Sequence, residues 1–551
     1  MKNTLKRTMA LFIAVMMVFC LTACGDSETA SNSSVVVGNS SVESNDATTS
    51  EDAGNNSENS SASTNSQAST NQSTSSQKPT TSTPSTNTSS PNNPTNSQGT
   101  QSQDNGPKAQ ISGISIGGKA LSRFSKERKV YAYELSSSDT KAPQVSASKT
   151  KGSGDIKITQ ATSVNGQATV TLNGETYTIQ FAKEDKSTML NNTYYKLKVD
   201  KKLNVAYFGG SVTAGFGSTG ADTKSWRAMT TKWLKEQFPN ATINETNAAI
   251  GGTGSEFGAY RIVEDLKLKS ESERPDLVFV EFAINDVYDD CDSFKNMEMV
   301  INSIYKYAPN ADIVMAFTTD FSKKDSDYAQ IVNHKEVAAY YGVPYVYLGS
   351  KLYKEIVKEN GSAPSSPSNA VWAKYFIDIV HPTDAGYAKY AGYMREFLSG
   401  IFSAKKSVPS SLIKKTLPSK TLNQLLANPH TVSFEGQTFS DSGIRFIENG
   451  YIRSDKPGSS FTFEFTGTDI SFWAWGAARG CKANVVIDGT IKKEISFFRD
   501  TDNHLVVPIA SGLSSGKHTV TVTMQQTTGR FMQINRVMIA GAGNEGIRVT
   551  K

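Results

Sequence analysis

Past residue 108 the order of apolar and polar positions changes rhythm three times. Between about 109 and 183, apolar residues alternate with polar ones in short runs at 111–116, 130–135, 144–147, 156–158, 168–172 and 176–181, with Gly, Ser and Asn between them. A period of two places every second side chain on one face of a strand, so residues 108–185 predict a small antiparallel β-sandwich. From about 195 to 404 the rhythm becomes apolar strand followed by amphipathic stretch. Strands are expected at 203–208, 242–245, 276–283, 312–317 and 345–348, and helices at 225–238, 254–268, 292–307 and 328–341. That alternation predicts an α/β domain, a parallel five-stranded sheet between two helical layers. A brief helical signal near 422–426 then gives way to strands at 460–465, 470–475, 483–487, 505–509, 519–524 and 533–539. The stretch 428–551 is therefore expected to be a second β-sandwich.

Before residue 108 no such pattern exists. Residues 25–106 are mostly Ser, Thr, Asn, Gln and Pro, without one aromatic side chain. Such a segment cannot bury enough apolar area to offset the entropy of ordering, and the stretch 24–107 reads as a disordered tether. Its roughly 80 residues would span about 50 Å as a flexible coil. Ahead of it, a basic start and an apolar run over 9–21 have the layout of a secretion signal, too short to span a bilayer. The run ends in Leu21-Thr22-Ala23-Cys24-Gly25. This resembles the lipobox of bacterial lipoproteins, which implies a signal peptide at 1–23, lipid on Cys24, and anchorage to the outer face of the bacterial cell membrane. Two acyl chains are what stable attachment needs.

Charge and cysteines narrow the picture further. The formal net charge is +5, and Lys2, Lys6 and Arg7 lie in the segment expected to be removed, so nucleic acid is not a predicted partner. Cys20 leaves with the signal, and Cys291 and Cys481 fall in different predicted domains. A disulfide framework is not indicated, and both read as small buried hydrophobes.

Four pieces of the middle domain carry chemistry. In Phe208-Gly209-Gly210-Ser211-Val212-Thr213-Ala214-Gly215 a serine leaves an apolar strand through two glycines, so it is presented at the carboxyl edge of the sheet, where α/β ligand sites lie. Alone, such a turn equally suits a phosphate or a helix cap. In Asp378-Ile379-Val380-His381-Pro382 the spacing sets a carboxylate against imidazole Nδ1 and leaves Nε2 as a base, although an Asp three residues before a His is also an ordinary helix-start pair. Asn247-Ala248-Ala249-Ile250-Gly251-Gly252-Thr253-Gly254 follows the second strand, and Ala283-Ile284-Asn285-Asp286 closes the third. Small residues and Asn at strand ends are common turn chemistry, but here they offer oxyanion donors beside the Ser211 amide.

The order Ser, Gly, Asn, Asp-x-x-His resembles the blocked pattern of the SGNH (GDSL-like) hydrolases over about 200 residues. The resemblance implies a triad of Ser211, His381 and Asp378, an oxyanion hole of Ser211, Gly252 and Asn285, and no cofactor or metal. Two positions depart from the family. Its Gly-Asp-Ser is Gly209-Gly210-Ser211, and its Gly-x-Asn-Asp is Ala283-Ile284-Asn285-Asp286. Glu281, inside an apolar strand, needs a partner if buried and reads as structural support. Trp226 and Tyr260, at predicted helix starts, are candidates for lining a substrate cleft, with core packing the default.

The two sandwiches carry no catalytic cluster. The first resembles the cadherin-like or Ig-like spacers of bacterial surface proteins. In the second, the stretch 458–489, with Phe461-Thr462-Phe463-Glu464-Phe465 and Val486-Ile487-Asp488-Gly489, resembles the jelly-roll modules of carbohydrate esterases. Trp473 and Trp475 share a strand face there and form a candidate sugar platform, buried core being the other reading. The expected activity is that of a cell-surface serine esterase acting on an acetylated polysaccharide such as a hemicellulose. A lipase or lysophospholipase and a cell-wall O-acetylesterase are the enzymatic alternatives, and a non-catalytic glycan-binding surface protein is the alternative from another class.

Overall fold

The computed structural model describes residues 107–551 apart from 290, 542 and 544. The expected signal, Cys24 and nearly all of the tether lie outside the described residues. Among the described residues no helix is long and apolar enough to cross a membrane.

At the centre is a five-stranded sheet in the order Tyr345–Tyr347, Asp312–Phe317, Leu277–Glu281, Lys202–Gly209 and Thr242–Asn247, every pairing parallel. All six residues of Asp312–Phe317 and all five of Leu277–Glu281 are buried. Helices cover both faces, so the inner strands read as unbroken apolar runs without alternation. The strand order reverses next to Lys202–Gly209, whose two neighbours are the second and third strands of the sheet. Ligands of open α/β sheets bind at such a switch point, outside the carboxyl ends of the strands. The chain that leaves Lys202–Gly209 carries Ser211, and the chain that leaves Leu277–Glu281 carries Asn285.

The four expected helices form as Trp226–Gln237, Ser255–Asp265, Ser293–Tyr307 and Ala329–Tyr341. A fifth, Asp384–Ser403, was absent from the sequence reading; it starts on Thr383, whose hydroxyl accepts the Gly386 amide, and packs on Trp226–Gln237 and on Leu348–Asn360.

The first sandwich has a three-stranded sheet, Lys119–Ala120, Ile111–Ile116 and Val145–Lys149, facing a four-stranded one, Val130–Leu135, Glu175–Lys183, Gln167–Leu172 and Lys157–Thr159. Ile114, Val170, Ile179 and Phe181 fill the space between them. It is not wholly antiparallel, because Val130–Leu135 pairs in parallel with Glu175–Lys183. Nor does it hang free of the catalytic domain. Arg128 pairs with Glu336 and lies 4.4 Å over the Phe294 ring, and the Tyr345 hydroxyl donates to Glu134 at 2.7 Å.

The second sandwich has a five-stranded sheet, Ile491–Ser496, Lys482–Ile487, Lys517–Met524, Ser460–Thr466 and Arg548–Val549. It packs on a sheet of Arg445–Phe446, Ile452–Ser454, Met532–Ala540, Asp469–Gly476 and Asn503–Ala510, with His430–Val432 added beside Met532–Ala540. The expected helix near 422–426 does not form. That stretch has no regular secondary structure and lies against the catalytic domain, where the buried Glu298 carboxylate accepts the Leu422 and Asn423 amides at 2.7 and 2.8 Å. Two buried backbone N–H groups satisfied in this way replace the bonds a helix would have made. The chain is thus a three-layer α/β domain flanked by two β-sandwiches, and the two cysteines in it are free, Cys481 buried and Cys291 half-buried.

Candidate active site

Ser211 opens the short helix Ser211–Ala214, just beyond the carboxyl end of the strand Lys202–Gly209. Its Oγ is 2.8 Å from Nε2 of His381. On the other side of that ring, Nδ1 is 2.7 Å from Asp378 Oδ2. A carboxylate accepts but does not donate, so Nδ1 carries the proton and Nε2 is left to accept from Ser211. The second oxygen of Asp378 accepts the amides of Val380 and His381, each at 2.7 Å. Burial pushes the Asp378 carboxyl up, but the hydrogen bonds from His381 and from these amides outweigh it and hold the group below the usual carboxylate range. The loop is fixed from behind, where Trp372 Nε1 donates to the Asp378 carbonyl at 2.8 Å. Phe216 meets the His381 ring edge-on at 4.6 Å, and its carbonyl accepts from Tyr387 at 2.7 Å.

The two other candidate oxyanion segments lie beside Ser211. Gly252 has φ of 70°, a left-handed turn that glycine adopts without strain. A Cβ on Gly251 would stand 3.7 Å from that of Ser211, so this turn lies against the nucleophile. Asn285 is not at a strand end, as the sequence suggested, but in the first turn of the helix Ala283–Asp289. Its amide stands over Gly210, where a Cβ would be 2.0 Å from Oδ1. This explains the departure from Gly-Asp-Ser: position 210 has no room for a side chain. The Asn285 side-chain oxygen, set against Gly210, is buried with no hydrogen-bond partner.

Glu281 supplies the support that position 210 lacks. It is 1% exposed and accepts the hydroxyls of Thr213 and Thr318 at 2.9 Å each. Burial pushes its carboxyl up, while these bonds and the Gly210 amide draw it back. One carboxylate therefore ties the nucleophile turn to two neighbouring strands. Arg261 was missed in the sequence because an arginine on an amphipathic helix reads as solvated. It is 1% exposed, stacks 4.3 Å over Phe208, and donates to the carbonyls of Ala248 at 2.7 Å and Gly209 at 3.2 Å.

For the aromatic candidates the core-packing reading prevails. Trp226 is 0% exposed and packs edge-on against Tyr207 and Phe279, so it belongs to the core and not to the cleft. Tyr260 is likewise buried. Trp473 is no sugar platform: its ring stacks on Phe257 of the catalytic domain at 4.0 Å and on His504 at 4.5 Å. Trp475 stays half-buried, edge-on to His504. Among the described residues no cluster of His, Cys, Asp and Glu is arranged to hold a metal ion.

Ser211, His381 and Asp378, hydrogen-bonded in series at the switch point of such a sheet, have the arrangement expected of an SGNH-type hydrolase domain. Residues 207–389 match the GDSL-like lipase/acylhydrolase family, and residues 444–543 match the carbohydrate esterase 2 N-terminal domain. The chain thus carries a GDSL-like (SGNH-type) hydrolase domain, and the module named for an N-terminal position follows it. Two solved structures of a two-domain esterase (CEX) active on acetylated mannans, one co-crystallised with mannopentaose, share the fold. They are 21% and 20% identical over 65% of this chain and 96% of theirs, with TM-scores of 0.51 and 0.53. An acetylxylan esterase, Axe2 from Geobacillus stearothermophilus, is 20% identical over 37% of this chain and 97% of its own, with a TM-score of 0.29. No curated relative matches the sequence.

Proposed function

We propose that the protein is an extracellular esterase that removes acetyl groups from polysaccharide through an acyl-enzyme on Ser211. The observation that carries this reading is the unbroken hydrogen-bond chain from Asp378 through His381 to Ser211 Oγ, with the Gly251–Gly252 turn against Ser211 and Asn285 over Gly210. Ser211 Oγ attacks the acetyl carbonyl as its proton passes to His381 Nε2. The ionised Asp378 stabilises the imidazolium that results. The Ser211 and Gly252 amides and the Asn285 side chain hold the oxyanion. Collapse expels the sugar hydroxyl, which takes the proton from His381, and water activated by the same nitrogen then releases acetate from the serine.

Acetylated mannan is the first substrate to test, because the two-domain esterase of the same fold is active on acetylated mannans. Trp475, half-buried on the second sandwich, is the remaining candidate for sugar contact. Lipid on Cys24 would hold the enzyme at the outer face of the membrane, with the tether as its reach. Acetate release from acetylated mannan, xylan and peptidoglycan, beside a long-chain ester, tests the reading. Release from a polysaccharide that disappears in Ser211→Ala is the expected result. Activity on the long-chain ester alone would make the protein a lipase, and none at all would make it a glycan-binding surface protein.

A further inference from the structure

A second histidine–aspartate pair lies behind the first. Asp286, fully buried, follows Asn285 in the chain and points the other way. Its Oδ2 is 2.9 Å from Nε2 of His334, which is 1% exposed on the helix Ala329–Tyr341. Its Oδ1 accepts the Ser255 amide at 2.6 Å, and the Cys291 thiol lies 3.8 Å from the same oxygen. Ser255 is the first residue after the Gly251–Gly254 turn. The carboxylate closes on that turn so tightly that a Cβ on Gly254 would be 2.6 Å from Oδ1. One buried side chain thus joins the two segments that bring Gly252 and Asn285 to the nucleophile, and His334 fixes its rotation from a third segment.

We propose that His334 is a positioning residue for the oxyanion hole, acting through Asp286 to hold the Gly252 amide and the Asn285 side chain at one fixed separation. The proposal rests on the acyl-enzyme reading above. Oxyanion donors act only where they meet the tetrahedral oxygen, so a slackened pair is felt in the transition state and not in ground-state binding. Replacing His334 by Leu removes the partner, whereas His334→Gln keeps an N–H in reach of the carboxylate and Asp286→Asn keeps an acceptor for the Ser255 amide.

The test compares the three variants with the wild type on p-nitrophenyl acetate, and measures inhibition by a simple alkylboronic acid, whose tetrahedral serine adduct places an oxygen among the same donors. His334→Leu is expected to lower kcat by about 10²-fold, the scale of one lost oxyanion donor. KM should stay within about twofold and the boronate Ki should weaken by the same factor as kcat, with His334→Gln restoring most of both. A folded His334→Leu enzyme with wild-type kcat overturns the proposal, as does a loss of kcat without matching loss of boronate affinity. Should His334→Leu fail to fold, the same comparison of kcat, KM and Ki in His334→Gln and Asp286→Asn decides. Ser211→Ala is measured alongside: retained hydrolysis there overturns the nucleophile assignment, and this proposal with it.

Discussion

Single atoms govern the site more than residue types do. Position 210 would place any Cβ against the Asn285 amide, so Gly210→Ala is expected to displace Asn285 and lower kcat by about 10²-fold. The clash itself costs on the order of 1–3 kcal/mol, so the protein remains folded. Steady-state kinetics beside a thermal melt checks this, and an unchanged kcat would remove Asn285 from the oxyanion hole. Glu256, on the helix that follows the oxyanion turn, has a different consequence. Burial first, then the charges of Asp286 and Asp292, pushes its carboxyl up from 4.5 to about 7. Between those values the folded protein holds a proton that the unfolded chain has released, so this group lowers stability as pH rises through the window. Glu256→Gln should therefore melt higher than wild type at pH 8 and no higher at pH 4.5. An equal shift at both pH values would show that the carboxyl is not the titrating group.

Elements show where sequence patterning succeeds and where packing takes over. That Ser211, His381 and Asp378 come together was legible because the chemistry they suit needs fixed residue types in fixed order. The five strands were legible because a doubly covered sheet must be apolar throughout. The helix Asp384–Ser403 was not, since Gly386, Gly392, Gly400 and several tyrosines lower its intrinsic propensity, and burial of Tyr387, Tyr390 and Met394 decides it instead. Trp473 and Trp475 were correctly placed on one strand face, opposite Phe472 and Ala474. What alternation could not say is that this face is also covered, because the covering surface is another domain. Truncating Trp473 there should cost about 3–5 kcal/mol, as for a buried tryptophan elsewhere. In urea unfolding of Trp473→Ala, the second sandwich should part from the catalytic domain at lower denaturant. A transition superposable on wild type would mean that the stack contributes nothing.

At the scale of the whole molecule, both sandwiches are fastened to the catalytic domain, the first through Arg128 and Glu336 and the second through Phe257 and Trp473. The first was read as a spacer because sandwich patterning is the same whether a module hangs free or is docked; contacts such as the Arg128–Glu336 pair, the Phe294 stack and the Tyr345–Glu134 bond tell them apart. Cys24→Ala in a bacterial host should move the protein from the membrane fraction to the medium while acetate release per molecule stays constant. Retention in the membrane fraction would remove the lipid anchor from the reading. The chain has five tryptophans, and Trp473 alone of them is stacked across the boundary between two domains. Parting of those domains would carry its indole from a ring-lined slot into water and move its fluorescence to longer wavelength. Trp226 and Trp372, both 0% exposed within the catalytic core, would keep their emission until that core unfolds. The protein thus carries an intrinsic optical gauge of whether its second sandwich is seated.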